Sequence, residues 1–294
     1  QLRIRHTAVA VNYRDVLIRN GLHTAKLPGG LGLEAAGTVD AIGTNVSDFA
    51  LGDRIVCVAG PDGAYAEMRL VPAARAVKLP DGISDRQAAS MMIRGMTARY
   101  LVRETYRVGP GSRILVHAAA GGVGTILCQW AKHLGAMVIG AVGSQDKFAA
   151  AKRNGCDHVV MSGSDFSGEV TQLTNGDGVD AVYDSIGKAT FEFSARSLRR
   201  RGLLISFGEA SGDPDPVPPR RLGQLGSIYL THPSLPDYTL TREELVATAN
   251  DLFEMIISGR IRADVTREYA LRDAPLAHAE LESRKTMGAI VLIP

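Results

Sequence analysis

Hydrophobic positions along the chain fall into three zones with different periods. In the first, residues 1–95, short runs are cut by glycine. Gln1–Val11 (QLRIRHTAVAV), Gly37–Ile42 and Arg54–Val58 read as strands, and the Gly60–Gly63 turn and the break at Pro80-Asp81-Gly82 bound further runs. This punctuation predicts an irregular β domain. From about residue 110 to 231 the texture changes to apolar runs: Arg113–His117, Met137–Val142, His158–Met161, Val179–Asp184, Leu203–Phe207 and Ser227–Thr231. Strands apolar on both faces, separated by helix-length segments, predict a parallel, doubly wound sheet.

The helix after the first of these strands is the clearest. Val123, Ile126, Leu127, Trp130, Ala131 and Leu134 follow i, i+3, i+4, i+7, i+8 and i+11, and Gly135 stops the run. Glu209–Arg221 holds four prolines and reads as an exposed connection. In the third zone, 235–294, Thr241 and Glu244 form a capping box, and Leu245, Ala249, Leu252, Phe253, Ile256 and Ile257 supply a buried stripe. Ala289–Ile293 reads as a strand. These pieces are short and are expected to return to the first zone. The expected architecture is therefore α/β with two domains, 1–95 with 235–294 and 96–234, as a length of 294 residues suggests at about 150 per domain.

Composition removes several functions. Thirty-three basic residues against 31 acidic ones leave a formal charge of +2, which argues against nucleic acid as the main partner. No apolar run reaches the length of about 18 residues that a bilayer span needs. Cys57, Cys128 and Cys156 form neither a disulfide framework nor a CxxC zinc cluster, which suits the reducing cytoplasm, and Cys57 and Cys128 read as small buried groups. The chain opens at Gln1 in what reads as mid-strand, so residues are expected upstream.

Candidate chemistry concentrates in Ala118-Ala119-Ala120-Gly121-Gly122-Val123-Gly124, between a strand and an amphipathic helix. Gly121 and Gly122 let a pyrophosphate approach the backbone, Gly124 lets helix and strand pack closely, and the helix N-terminus offers N–H groups to phosphate. A cofactor without a 2′-phosphate usually meets an acid at the end of the second strand. That strand ends at Val142-Gly143-Ser144 with no carboxylate and with Lys147 following, so NADPH is expected over NADH. No Tyr is followed four positions later by Lys, no Gly-x-Ser-x-Gly or Walker sequence occurs, and the seven histidines lack metal-ligand spacing. His117 and His158, on strands, read as core residues. Hydride delivery to an electron-poor acceptor such as a quinone needs no metal and no built-in acid; reduction of a simple ketone does.

Val11-Asn12-Tyr13-Arg14-Asp15, Gly32-Leu33-Glu34-Ala35-Ala36-Gly37, Ala118–Gly124, Tyr183-Asp184-Ser185-Ile186-Gly187, Ser206-Phe207-Gly208 and Leu281-Glu282-Ser283-Arg284 stand in one order along the chain. In these the sequence resembles the zinc-free NADPH:quinone oxidoreductase (zeta-crystallin-like) branch of the medium-chain dehydrogenases/reductases. The resemblance implies a GroES-like β domain beside a Rossmann domain with NADPH in the cleft. Zinc-dependent relatives place a Cys near Asn12 and a His before Glu34; here Asn12 and Leu33 stand there, and no metal is expected.

The resemblance further implies that Asn12 faces nicotinamide and quinone and that Thr97 touches the nicotinamide side. Gly122 and Val123 meet the pyrophosphate, and Gly143, Ser144 and Lys147 take the 2′-phosphate. Phe207, Gly208 and Leu230 line the cleft, and Arg284 closes on the cofactor. Leu17 replaces a tyrosine near the nicotinamide. Ser162 replaces one that often stacks near the 2′-phosphate, an exchange that weakens NADPH selectivity. Arg199-Arg200-Arg201 reads as a solvated helix C-terminus. Ser227–Thr231, apolar and last in the sheet, is expected at an edge and predicts a homodimer joined there. Two other readings stay open: an enone or alkenal reductase of the same fold, and a non-catalytic NADPH-binding protein with a structural or RNA-binding role.

Overall fold

Leu2, Ile4, His6 and Ala8 alternate with Arg3, Arg5 and Thr7, and the first strand buries the first set and exposes the second. A computed structural model describes residues 1–24, 26–58, 62–283 and 288–294. Of the expected turn at Gly60–Gly63, Gly60 and Pro61 lie outside the described residues. The chain divides into two units, Gln1–Met96 with Tyr238–Pro294, and Thr97–Asp237.

In chain order the elements begin β1 (Leu2–Ala10), α1 (Tyr13–Arg19), β2 (Ala35–Ile42), β3 (Arg54–Cys57), β4 (Met68–Val71), β5 (Ala76–Lys78) and α2 (Asp85–Tyr100). There follow β6 (Arg113–His117), α3 (Gly122–His133), β7 (Met137–Val142), α4 (Phe148–Arg153), β8 (His158–Met161) and α5 (Ser167–Leu173). Next come β9 (Val179–Asp184), α6 (Phe191–Arg196), β10 (Leu198–Ser206), α7 (Pro219–Gln224) and β11 (Tyr229–Thr231). The chain closes with α8 (Arg242–Ile257), β12 (Val265–Ala270), α9 (Ala274–Glu282) and β13 (Ala289–Ile293).

The first unit holds a seven-stranded sheet, β12-β13-β1-β2-β3-β5, with β4 also paired to β1. Only the β12–β13 pair is parallel among these ladders. β13 lies against β1 with Leu292 opposite Val9, so the last residues of the chain complete the first sheet. Leu2, Ile4, Val39, Phe49 and Ile55 fill one core; Val9, Val11, Ala35, Ile290 and Leu292 fill another. The capping box of α8 is formed in both directions, Glu244 N–H to Thr241 Oγ1 at 3.2 Å and Thr241 N–H to Glu244 Oε2 at 3.0 Å. Its expected stripe needs one correction. Met255 is buried, while Ile257 is 53% exposed at the helix end, against the Gly82 turn.

The second unit is a six-stranded parallel sheet in the order β11-β10-β9-β6-β7-β8. Ile114, Leu115 and Val116 of β6 are fully buried, as strands covered on both faces require. α3 buries Ile126, Leu127, Trp130 and Ala131. It ends in a Schellman motif: Gly135, at φ +88°, donates to Lys132 O and Ala136 donates to Ala131 O. Within the proline-rich connection, Pro219 opens α7.

Arg199, Arg200 and Arg201 are not a helix C-terminus. They lie inside β10, where its pairing with β9 is interrupted between Leu198 and Leu203 and where β11 reaches only Leu203–Ile205. Bulged out of the ladder and half-buried or exposed, these positions tolerate charge; Arg199 pairs with Asp180 of β9 at 2.5 Å, and Arg201 sits at φ +57°. Among the described residues no helix is long and apolar enough to cross a membrane.

Candidate functional site

In the second unit, β6 has β9 on one side and β7 on the other, and the helices that follow these strands begin at the same edge of the sheet. This is the switch point of a doubly wound sheet, where the crevice outside the strand ends takes ligands. The turn after β6 starts at Ala118, held at φ +48°, and closes through Gly121 N–H to Ala118 O at 2.7 Å. Gly121 is the extended N-cap of α3, and the helical ladder starts with Thr125 N–H to Gly121 O at 3.0 Å. The N–H groups before it face outward from the helix end, where the dipole favours an anion. Gly121, Gly122 and Val123 are half-buried, whereas Gly124 is buried under the turn. A Cβ on Gly124 would stand 2.2 Å from Ala118 O and 3.0 Å from Ala119 Cα. Only glycine lets α3 begin this close to β6.

Beside this turn, Gly143 and Ser144 follow β7 and Ser162 follows β8. The structure brings them together: Ser162 N–H donates to Val142 O at 2.9 Å, and a Cβ on Gly143 would lie 3.9 Å from Ser162 Oγ. Lys147 sits on the next turn, its N–H on Ser144 O at 3.2 Å. Asp146, in the same turn, was missed. Its exposed carboxylate is held below the usual range first by a hydrogen bond from Ser144 and further by Lys147.

Phe207 and Gly208 follow β10; Phe207 N–H donates to Asp184 O at 2.8 Å, and a Cβ on Gly208 would lie 3.1 Å from Ser185 O. Leu230 is placed on β11, the sheet's edge, 37% exposed beside Tyr229 at 61%. Thr97 is buried in the last turn of α2, and among the described residues no hydrogen bond joins it to the glycine turn.

A buried network, not legible from sequence, ties the loops after β6 and β9. Asp184 accepts Ile186 N–H at 2.8 Å, Gly187 N–H at 3.1 Å, Thr190 Oγ1 at 2.8 Å and Ser194 Oγ at 2.7 Å. With its hydrogen spent on Asp184, the Ser194 hydroxyl accepts from His117 Nε2 at 2.8 Å. Burial lowers the His117 pKa, and the Asp184 charge opposes that. A second brace runs from Asn154 Nδ2 to Thr125 Oγ1 at 3.3 Å, holding α4 against the first turn of α3.

In the first unit, Asn12 is the N-cap of α1. Its N–H donates to Asp15 Oδ2 at 2.8 Å, and its Nδ2 donates to Glu34 Oε2 at 3.2 Å. Glu34 is fully buried, and its other oxygen accepts Ile93 N–H at 2.9 Å. Burial pushes its carboxyl up to about 7, against the pull of these donors and of the half-buried Arg94. Leu33 stands beside it, and among the described residues no three His, Cys, Asp or Glu side chains gather as a metal site. Leu17 lies on α1, and Arg284 lies outside the described residues.

Residues 1–81 match the family model of the alcohol dehydrogenase GroES-like domain, and residues 122–250 match that of zinc-binding dehydrogenases. The whole chain is similar to a quinone oxidoreductase of Salmonella typhimurium, 47% identical and spanning 91% of that protein. It is also similar over its whole length to a 2-haloacrylate reductase of a Burkholderia species, at 41% identity and 91% of that protein. The crystal structure of Escherichia coli quinone oxidoreductase complexed with NADPH superposes with a TM-score of 0.97 at 44% identity, covering all of this chain and 91% of that one.

Proposed function

Because the chain belongs to the medium-chain dehydrogenase/reductase family, among its quinone oxidoreductases, we infer that it is an NADPH-dependent quinone reductase. The observation that carries this reading is the Ala118–Gly124 turn, closed so tightly on β6 that Gly124 admits no Cβ, in a chain 44% identical to a protein crystallised with NADPH. When bound, NADPH supplies a hydride equivalent, and the quinone that takes it together with a proton leaves as the hydroquinone.

The chain's own residues bind and orient. Gly122, Val123 and Gly124 hold the diphosphate on backbone N–H groups, and Gly121, whose own N–H closes the turn on Ala118 O, lets it approach the backbone. Gly143, Ser144, Lys147 and Ser162 receive the 2′-phosphate, and Phe207, Gly208, Leu230 and Thr97 line the path to the nicotinamide. Asn12 orients the acceptor through its amide, which is anchored by one Nδ2 hydrogen on Glu34 and caps the first turn of α1. The first unit is the GroES-like catalytic domain and the second the Rossmann domain. Copies pair through the exposed edge at Tyr229–Thr231, supported by the exposure of Tyr229 and Leu230. The buried free thiols suit a reducing cytoplasm.

Asn12 and Leu33 leave Glu34 without partner ligands, so the reaction needs no zinc. Dialysis against a chelator is expected to leave the rate within about twofold, since a lost catalytic metal costs several kcal/mol; a large loss restored by zinc would refute this. The substrate class is decided by NADPH oxidation with 1,4-benzoquinone against a 2-alkenal, with faster turnover of the quinone expected. Preference for the alkenal would favour an activated-alkene reductase instead, as the identity to 2-haloacrylate reductase allows. NADPH binding with no turnover of either would point to a non-catalytic role.

A further inference from the structure

We propose that Tyr65 and His278 are positioning residues for Asn12, holding the Asp15 carboxylate against its backbone N–H and so fixing the end of α1 that presents its amide. The proposal rests on the reading of Asn12 as the group that orients the acceptor.

Asp15 is fully buried. Its Oδ2 accepts Asn12 N–H at 2.8 Å and the Tyr65 hydroxyl at 3.3 Å, and among the described residues its Oδ1 has no partner. The Tyr65 oxygen lies 2.9 Å from His278 Nε2 on α9, with the rings edge to face at 5.6 Å. Arg19 Nη1 lies 3.1 Å from His278 Nδ1, and Arg19 Nη2 donates to Glu282 Oε1 at 2.6 Å. A guanidinium can only donate, so Nδ1 accepts and Nε2 carries the hydrogen. That hydrogen goes to the Tyr65 oxygen, which leaves the phenolic hydrogen for Asp15. Every donor in the chain points one way, toward the carboxylate that holds Asn12.

A phenol that merely filled space would need its ring and not its hydroxyl. Here the hydroxyl is one of two donors on a carboxylate that burial pushes up to about 6. The charged groups facing Asp15 are Arg14 on α1, which favours ionisation, and Asp62, which opposes it; these two also pair with each other at 2.9 Å. His278 faces Arg19 and Glu282, and burial with Arg19 lowers its pKa, so its ring stays neutral and Nδ1 stays an acceptor. A donor to a carboxylate favours its charged form. Removing the Tyr65 hydroxyl therefore raises the pH at which Asp15 takes a proton and stops holding Asn12.

The test uses the full chain with Tyr65→Phe, His278→Gln and Asn12→Ala. Tyr65→Phe is expected to lower kcat/KM for 1,4-benzoquinone about fivefold to tenfold, the effect of one hydrogen bond, with KM for NADPH unchanged. The carboxyl ¹³C titration of Asp15, which reads the protein without turnover, should move its midpoint up by about half a unit or more, and the acid limb of kcat/KM should move with it. His278→Gln, whose amide N–H still reaches the phenol, should keep most of the rate and the midpoint. A Tyr65→Phe protein with wild-type rate, or one that loses rate while the Asp15 midpoint stays put, overturns the proposal, because packing alone does the latter. If Asn12→Ala itself leaves the quinone kinetics unchanged, the role of Asn12 falls and the proposal falls with it.

Discussion

Gly124→Ala is expected to weaken NADPH binding about 100-fold, since misplacing a binding group by about 1 Å can cost that much. The added methyl would meet Ala118 O at 2.2 Å, Ala118 C at 2.9 Å and Ala119 Cα at 3.0 Å, all of them backbone. No rotamer relieves such a contact. Either α3 moves away from β6 or the turn opens, and in both cases the N–H groups ahead of Thr125 leave the positions that would face a diphosphate. Ala118 already sits at φ +48°, so the turn has little freedom left to absorb the change. Overpacking of this kind costs about 1–3 kcal/mol of stability, which lowers Tm by roughly 2–10 °C in a chain of this size. Gly168→Ala in α5, where a Cβ meets nothing within 4 Å, is the control and should leave both quantities unchanged or raise Tm slightly. Fluorescence titration with NADPH and thermal unfolding read the two effects. Binding by Gly124→Ala within about threefold of wild type at an unchanged Tm would mean that the turn does not hold the diphosphate.

The parts of this fold legible in the sequence are those whose physical cause is local. β6 to β9 carry apolar stretches with residues buried on both faces because helices cover the sheet on each side, and Gly135 ends α3 because a left-handed residue is needed there. The glycine turn was legible for the same reason: strand, close approach and helix start follow one another within a dozen residues. The start of β10 was out of reach because its charge is tolerated by a bulge against β9 and by a β11 that stops short, and no window on Arg199–Arg201 contains either fact. Long-range polar pairing was equally out of reach. His117 meets Ser194 across 77 positions and Tyr65 meets His278 across 213. His117 did read as a core residue, and the partners that make it more than one are set by tertiary structure. Asp146 is a different kind of miss, because it stands two residues past Ser144 and only the turn of the chain brings its carboxylate back onto that hydroxyl.

That carboxylate bears directly on the choice of coenzyme. Lys147→Glu is expected to weaken NADPH binding about 100-fold while NADH changes less than about threefold: a charge-assisted contact contributes about 1.5–3 kcal/mol, and reversing its sign adds repulsion. The two coenzymes differ only by the 2′-phosphate, so the ratio of the two effects isolates that group from any general disturbance of the turn. Lys147 is half-buried at the surface, and the difference should shrink as ionic strength rises and the Debye length falls to about 8 Å at 0.15 M. Asp146 acts in the opposite sense. A phosphate arriving here must compete for the Ser144 hydroxyl with a carboxylate already bonded to it and drawn toward Lys147. Asp146→Asn should therefore tighten NADPH a few-fold and leave NADH unmoved, a change of about 1 kcal/mol. On the proposed assignment, the phosphate's grip rests on Ser144 and Lys147, with Ser162 rather than an aromatic face beside them. Dissociation constants for both coenzymes, at low and at physiological salt, decide the matter. Equal effects of Lys147→Glu on NADPH and NADH would remove Lys147 from the phosphate site, because a charge that contacts only the 2′-phosphate cannot be felt by a coenzyme that lacks it.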